Sequence, residues 1–228
     1  MQRMRDLIRE AQASYPQDDF FSGVDATLRR SSQARALYRA YDRALSYLDR
    51  DSWSELSRKA LAHFVDHRDG QLKQGFFHQL NDAFAYQYLV RRGHSHVRVL
   101  REGRMRTPDL SYLAGKALRH CEVKTIGISQ DEIARRVPGQ YINRNSYVAL
   151  STGFFDKLSS DLSSASKQIS STETAGLVFV IATFDDFTLS YYERYRAQIA
   201  QFLLSHPVPE VYVKVGYFGA RRIHKTGA

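Results

Sequence analysis

The residues best placed to do chemistry lie near the middle of the chain. Thr107-Pro108-Asp109 is followed by Glu122-Val123-Lys124. If Asp109 and Glu122 converge, their like charges repel unless a cation sits between them. Hard carboxylate oxygens of this kind suit Mg²⁺ or Mn²⁺. A lysine beside such an ion can orient or deprotonate a water. An acid pair, a divalent ion and a lysine are the minimum for metal-assisted hydrolysis of a phosphodiester.

These residues need strands to hold them. Val97 and Val99 alternate with polar neighbours and predict a strand. Glu102-Gly103 predicts a turn, Arg106–Leu113 a second strand, Ala114-Gly115 a turn, and Leu118–Ile126 a third strand. Side chains alternate across a strand, so His120, Glu122 and Lys124 share one face, while Cys121 and Val123 take the other. Pairing of the second and third strands brings Asp109 near Glu122. Pro108 removes a ladder donor there and can splay the strands.

Helices precede and follow this meander. Leu37, Tyr41, Ala44, Leu45 and Leu48 recur at helical spacing. Asp51 or Ser52 reads as the N-cap of a helix reaching about Asp66. Ser14–Gly23 reads as a connector. One amphipathic helix is expected over 74–92, stopped by Gly93. After a polar stretch at 128–147, Phe155, Leu158, Leu162, Ala165 and Ile169 form the apolar stripe of a helix with a serine-rich back. Gly176–Thr183 is a continuous apolar run, as for a strand buried on both faces. A helix over Ser190–Leu204 and a strand at Val211–Val215 complete the order α-β-β-β-α-β-α-β.

With Pro108, Asp109, Glu122 and Lys124 in that order of elements, the chain resembles the PD-(D/E)XK nuclease superfamily. The resemblance implies a restriction-endonuclease-like α/β (α+β) fold, with an α-β-β-β-α-β core whose mixed sheet is flanked by helices. It covers 71–228 as a nuclease domain and leaves 1–70 as an N-terminal helical region. By resemblance, Asp109 and Glu122 bind the metal and Lys124 positions or activates the attacking water. Asp82, on the helix before the strands, matches an acidic position that many members use for metal. Lys167 and Gln168 match a Lys or Gln on the helix after the third strand that contacts phosphate or water.

Charge points the same way. The formal net charge is +9, yet residues 1–70 hold 12 Lys/Arg against 11 Asp/Glu. Between Arg91 and Arg144 there are 12 basic and 5 acidic residues. Positive charge therefore gathers around the candidate site, as a polyanion requires. Arg135, Arg136, Tyr141, Asn143 and Arg144 mix cations, amide and aromatic groups suited to a nucleic-acid strand. The basic tail Arg221–Lys225 reads as disordered and able to supply only non-specific attraction. His63 and His67 have metal-compatible spacing but no evident third ligand.

Other classes lose support. There is no phosphate-cradling glycine loop and no GxSxG elbow. No apolar run is long enough to span a bilayer, so no membrane partner is expected. The N-terminus lacks the apolar stretch of a signal peptide. Cys121 is the single cysteine, so no internal disulfide can form, and a cytoplasmic setting is expected. The expected activity is Mg²⁺-dependent DNA hydrolysis, most simply by an endonuclease in restriction, defence, repair or mobile-element processing. The alternatives are a non-catalytic nucleic-acid-binding subunit of a larger assembly and an RNA-cleaving nuclease. A homodimer or a partner subunit is compatible with each.

Overall fold

The computed structural model describes residues 1–67, 72–103, 107–127, 147–183, 191–208, 210–217 and 221–226. The chain is mixed α/β, and its strands form a mixed sheet in the order β1-β2-β3-β4-β5-β6. It divides into two compact units. The first holds Met1–Arg104 and Asp109–Leu118; the second holds Met105–Pro108 and Arg119–Ala228.

The first unit is mainly helical: α1 (Gln2–Ser14), α2 (Val24–Arg30), α3 (Ser32–Leu45), α4 (Arg50–Ala62), α5 (Gln74–Leu80) and α6 (Asp82–Arg91). Met4, Leu7, Ile8 and Ala11 form the buried stripe of α1. Phe21, Phe64 and Phe76 pack ring on ring, with centroids 5.5 to 5.8 Å apart. The cap of α4 is Asp49, whose carboxylate accepts from the Ser52 amide at 2.8 Å. The expected cap at Asp51 or Ser52 is thus two or three residues late. Asp51 instead lies in the first turn, where its charge favours the helix dipole.

The helix expected over 74–92 is two helices meeting at Asn81. The buried Asn81 side chain accepts a hydrogen bond from the Tyr41 hydroxyl at 3.1 Å. That polar anchor, which comes from α3, fixes the junction. Gly93 ends α6 at φ +84°, a conformation that favours glycine. The strands β1 (Ser95–Val99) and β2 (Leu110–Ala114) pair antiparallel. Residues 104–106 lie outside the described set, and β2 begins one residue after Asp109. Asp109 therefore sits in the bend ahead of the strand, not within it as expected.

The strand β3 (Ala117–Ile126) starts in the first unit and continues through the second. It pairs parallel with β4 (Gly176–Ala182), which pairs parallel with β5 (Val211–Val215). The crossovers run through α7 (Thr152–Ser170) and α8 (Tyr192–Ser205). Ser151 caps α7 by accepting from the Phe154 amide. One apolar layer joins Leu158, Leu162, Ala165 and Ile169 of α7 with Ile199 and Leu203 of α8. They pack against Ile126, Val178, Val180, Val211 and Val213. Every residue of β4 after Gly176 is buried, as its unbroken apolar run requires. On the other face Phe179 stacks on Tyr212 with centroids 5.1 Å apart.

The basic tail is ordered. Arg222–Lys225 forms β6, antiparallel to β5, with Ile223 in the apolar layer. The expectation of a disordered tail overlooked that single apolar residue, which gives the segment a face to bury.

A Cβ added at Gly176 would stand 2.3 Å from the His120 carbonyl oxygen and 2.7 Å from Ile169 Cγ2. The parallel ladder and α7 leave no room for it. Gly176→Ala should lower the stability of the protein by about 1–3 kcal/mol, read as a fall in the urea midpoint. An unchanged midpoint would show that the backbone yields there without cost.

Candidate functional site

In the first unit the expected acids surround a lysine. Lys59 lies on the buried face of α4, beside Leu56 and Ala60, and is 1% exposed. Its Nζ donates to Asp82 Oδ2 at 3.0 Å. The same nitrogen is 3.5 Å from Asp109 Oδ1 and 3.6 Å from Glu102 Oε1. Asp82 opens α6 and is itself buried, so it is not a solvated helix position. One turn beyond Lys59, His63 Nε2 reaches Glu102 Oε2 at 3.8 Å while its Nδ1 meets Asp66 at 2.6 Å.

The electrostatics follow from burial. Desolvation pushes the Asp82 carboxyl up to about 7. Lys59 opposes that rise, and the charges of Asp109 and Glu102 reinforce it. Burial pulls the Lys59 ammonium down, but Asp82, then Asp109 and Glu102, outweigh it and hold the pKa above that of an ordinary lysine. When all three acids are ionised, one ammonium faces three carboxylates, and two negative charges remain in excess.

In the second unit β3 presents Glu122 and Lys124 on the face that α7 covers, since their parallel partners Val178 and Val180 belong to the apolar layer there. Glu122 is 2% exposed. Lys124 Nζ donates to Glu122 Oε1 at 2.6 Å and to Gln168 Oε1 at 3.3 Å. The Gln168 amide in turn donates to the Thr107 carbonyl at 3.4 Å. Gln168 thereby ties Lys124 to the backbone two residues ahead of Asp109. His120, on the same strand face, has Nδ1 2.7 Å from Thr174 Oγ1 and 3.1 Å from Thr172 Oγ1. Burial lowers its pKa.

Glu122, Lys124 and Gln168 are thus gathered in one unit, and Asp82 and Asp109 in the other. Lys167 is exposed and lines an open cleft of about 280 Å³ with Ser163, Ser166 and His206. It makes no part of the Lys124 cluster. Arg135, Arg136, Tyr141, Asn143 and Arg144 lie outside the described residues. His67 Nδ1 meets the Val65 carbonyl and joins no metal-ligand group.

Among the described residues no three His, Cys, Asp or Glu side chains stand where they could hold a metal ion between them. The donor chemistry of the acids nevertheless fits a hard cation, for Asp82, Glu102 and Asp109 already converge on a positive charge. Their spacing suits an ammonium. Mg²⁺ would draw its oxygens in to about 2.1 Å.

The chain matches no known family. Comparison with curated proteins and with solved structures likewise finds no match.

Sequence reasoning missed Lys59 and Glu102. A signal for Lys59 exists, because it falls on the Ser52–Leu56–Ala60 stripe of α4, where a cation has no reason to be unless an acid awaits it. Glu102 carries no such mark.

The Asp82 carboxyl binds its proton more tightly folded than unfolded. Its contribution to stability is greatest below the usual carboxylate range and declines as pH rises toward 7. The stability of the wild type minus that of Asp82→Asn should therefore fall between pH 4 and pH 7 in urea titrations. A flat difference would mean that Asp82 stays ionised throughout.

Proposed function

We propose that the protein is a metal-dependent nuclease that hydrolyses phosphodiester bonds, with DNA as substrate, on a restriction-endonuclease-like fold. The observation that supports this best is the chain of contacts Glu122–Lys124–Gln168–Thr107, which ties the lysine of the Glu-x-Lys pair to the Thr107 backbone. A lysine kept only for a surface ion pair would not need the second bond to Gln168.

In this reading Asp109 and Glu122 are the residues that would hold Mg²⁺ or Mn²⁺, with Asp82 as a further acid. The ion, when bound, supplies Lewis-acid stabilisation of charge on the phosphoryl oxygens. Lys124 orients the attacking water through its ammonium, and Gln168 fixes the direction of that ammonium. Glu122, which accepts from Lys124, would be one of the residues that hold the ion. Basic residues between Arg91 and Arg144 attract the phosphate backbone, so binding weakens as salt rises. Restriction, defence, repair and mobile-element processing all draw on this chemistry, as would an RNA substrate. No helix in the described residues is long and apolar enough to cross a membrane.

The full chain with Mg²⁺ or Mn²⁺ should cleave at least one member of a panel of single-stranded, double-stranded, branched DNA and RNA substrates. Asp109→Ala, Glu122→Ala and Lys124→Ala should each cut the rate by about 10²-fold or more, while salt-sensitive binding persists. Gln168→Ala should cost less. A panel left intact under both metals, with binding retained, would favour a non-catalytic nucleic-acid-binding subunit.

A further inference from the structure

The helix α3 carries a row of charge to which the cleavage chemistry gives no task. Arg35, Arg39 and Arg43 fall four residues apart, and Tyr47 follows at the same interval. Tyr41, Ala44 and Leu45 mark the buried side of the helix. Arg39 and Arg43 are exposed on the other side, and Arg35 is half-buried at its edge. Like charges one turn apart repel and weaken a helix. Other helical arginines meet an acid one turn away: Arg9 pairs with Asp6, Arg58 with Glu55 and Arg196 with Glu193. The single acid of α3, Asp42, is turned toward α1, where it accepts from the Met4 amide at 3.0 Å and meets the Met1 ammonium at 3.2 Å. Among the described residues no carboxylate pairs with Arg35, Arg39 or Arg43. The helix dipole favours Arg43, in the last turn, and gives no support to Arg35 or Arg39. A row held against its own repulsion calls for an anion from outside.

We propose that this face of α3 binds the phosphate backbone of DNA through Arg35, Arg39 and Arg43, a contact surface in the helical unit additional to the residues proposed for cleavage. Four helical residues rise about 6 Å, so each guanidinium can meet a different phosphate of one strand. Its planar fork of donors matches the oxygens of a phosphate. The Tyr47 hydroxyl can donate to a further phosphate. Contacts of this kind fix position and read no base sequence. An anionic membrane is the other polyanion that arginines meet. The outward positions beside them, however, are Ser32, Ala36 and Ser46, which offer no large apolar side chain to a bilayer. The inference rests on the nucleic-acid part of the proposed function and not on cleavage.

Salt titrations of binding test this, using the full chain, two unrelated double-stranded DNA sequences and no divalent metal, so that nothing is cut. Arg35→Gln/Arg39→Gln/Arg43→Gln should weaken binding to both sequences by the same factor. Its slope of log affinity against log salt should be shallower than that of the wild type by about 3. Replacing all three with Lys, which keeps the charge, should preserve the slope. Arg58→Gln, whose charge Glu55 already meets, should leave it close to the wild type. Should the triple variant lose structure, Arg39→Gln/Arg43→Gln changes only exposed side chains and should lower the slope by about 2. An unchanged slope in the folded variants overturns the inference, as does a wild type that binds phosphatidylserine vesicles through these arginines but no DNA. If the wild type still cleaves while the slope is unchanged, the nuclease reading stands without this surface. A slope that falls in a protein that cuts nothing upholds the surface and removes the nuclease reading.

Discussion

A lysine ammonium sealed among three carboxylates is the constraint on which the helical unit depends. Lys59 cannot keep its charge at 1% exposure unless Asp82, Glu102 and Asp109 are where they are. Each acid in turn fixes its surroundings. Asp82 holds the first turn of α6 against α4. Asp109 sets the bend from which β2 departs. Glu102 draws in the segment that follows β1. Removing Lys59 would leave the acids as unbalanced charge, with Asp82 buried among them.

The second unit solves a different problem. Glu122 and Lys124 stand on the sheet face that carries the apolar layer, so two charged groups border a layer of valines and leucines. The short bond between them, together with the Gln168 amide, satisfies Glu122 Oε1 and the Lys124 ammonium. The same bonds orient Lys124. A group restrained in this way has little further freedom to lose.

What could be read from the sequence followed the range of the forces involved. Local signals were legible: the stop at Gly93, the stripe from Leu158 to Ile169, the apolar run of β4, and the alternation that puts Glu122 and Lys124 together. Gln168 was visible as a candidate because it follows β3 on a helix, though nothing local separated it from Lys167. Their sites diverge because they lie on different sides of α7, one toward β3 and one toward the serine-lined cleft. Features decided by distant partners were not legible. The division of the 74–92 helix depends on Tyr41. The burial of Asp82 depends on Lys59, which is on another helix. The α4 cap shifted by two or three residues because Asp49, Asp51 and Ser52 all have side chains able to cap, and only the path of the chain chooses among them.

The terminal strand has a meaning apart from any site. β6 is last in the sheet, four residues long, and carries Arg222, His224 and Lys225. A bare sheet edge is a template on which a second chain can add a strand, and long apolar edges invite stacking into aggregates. Here the edge is short, and a second copy approaching in register would bring like cations against it. The tail that looked like loose positive charge thus gives the β6 side of the sheet an edge unsuited to self-pairing.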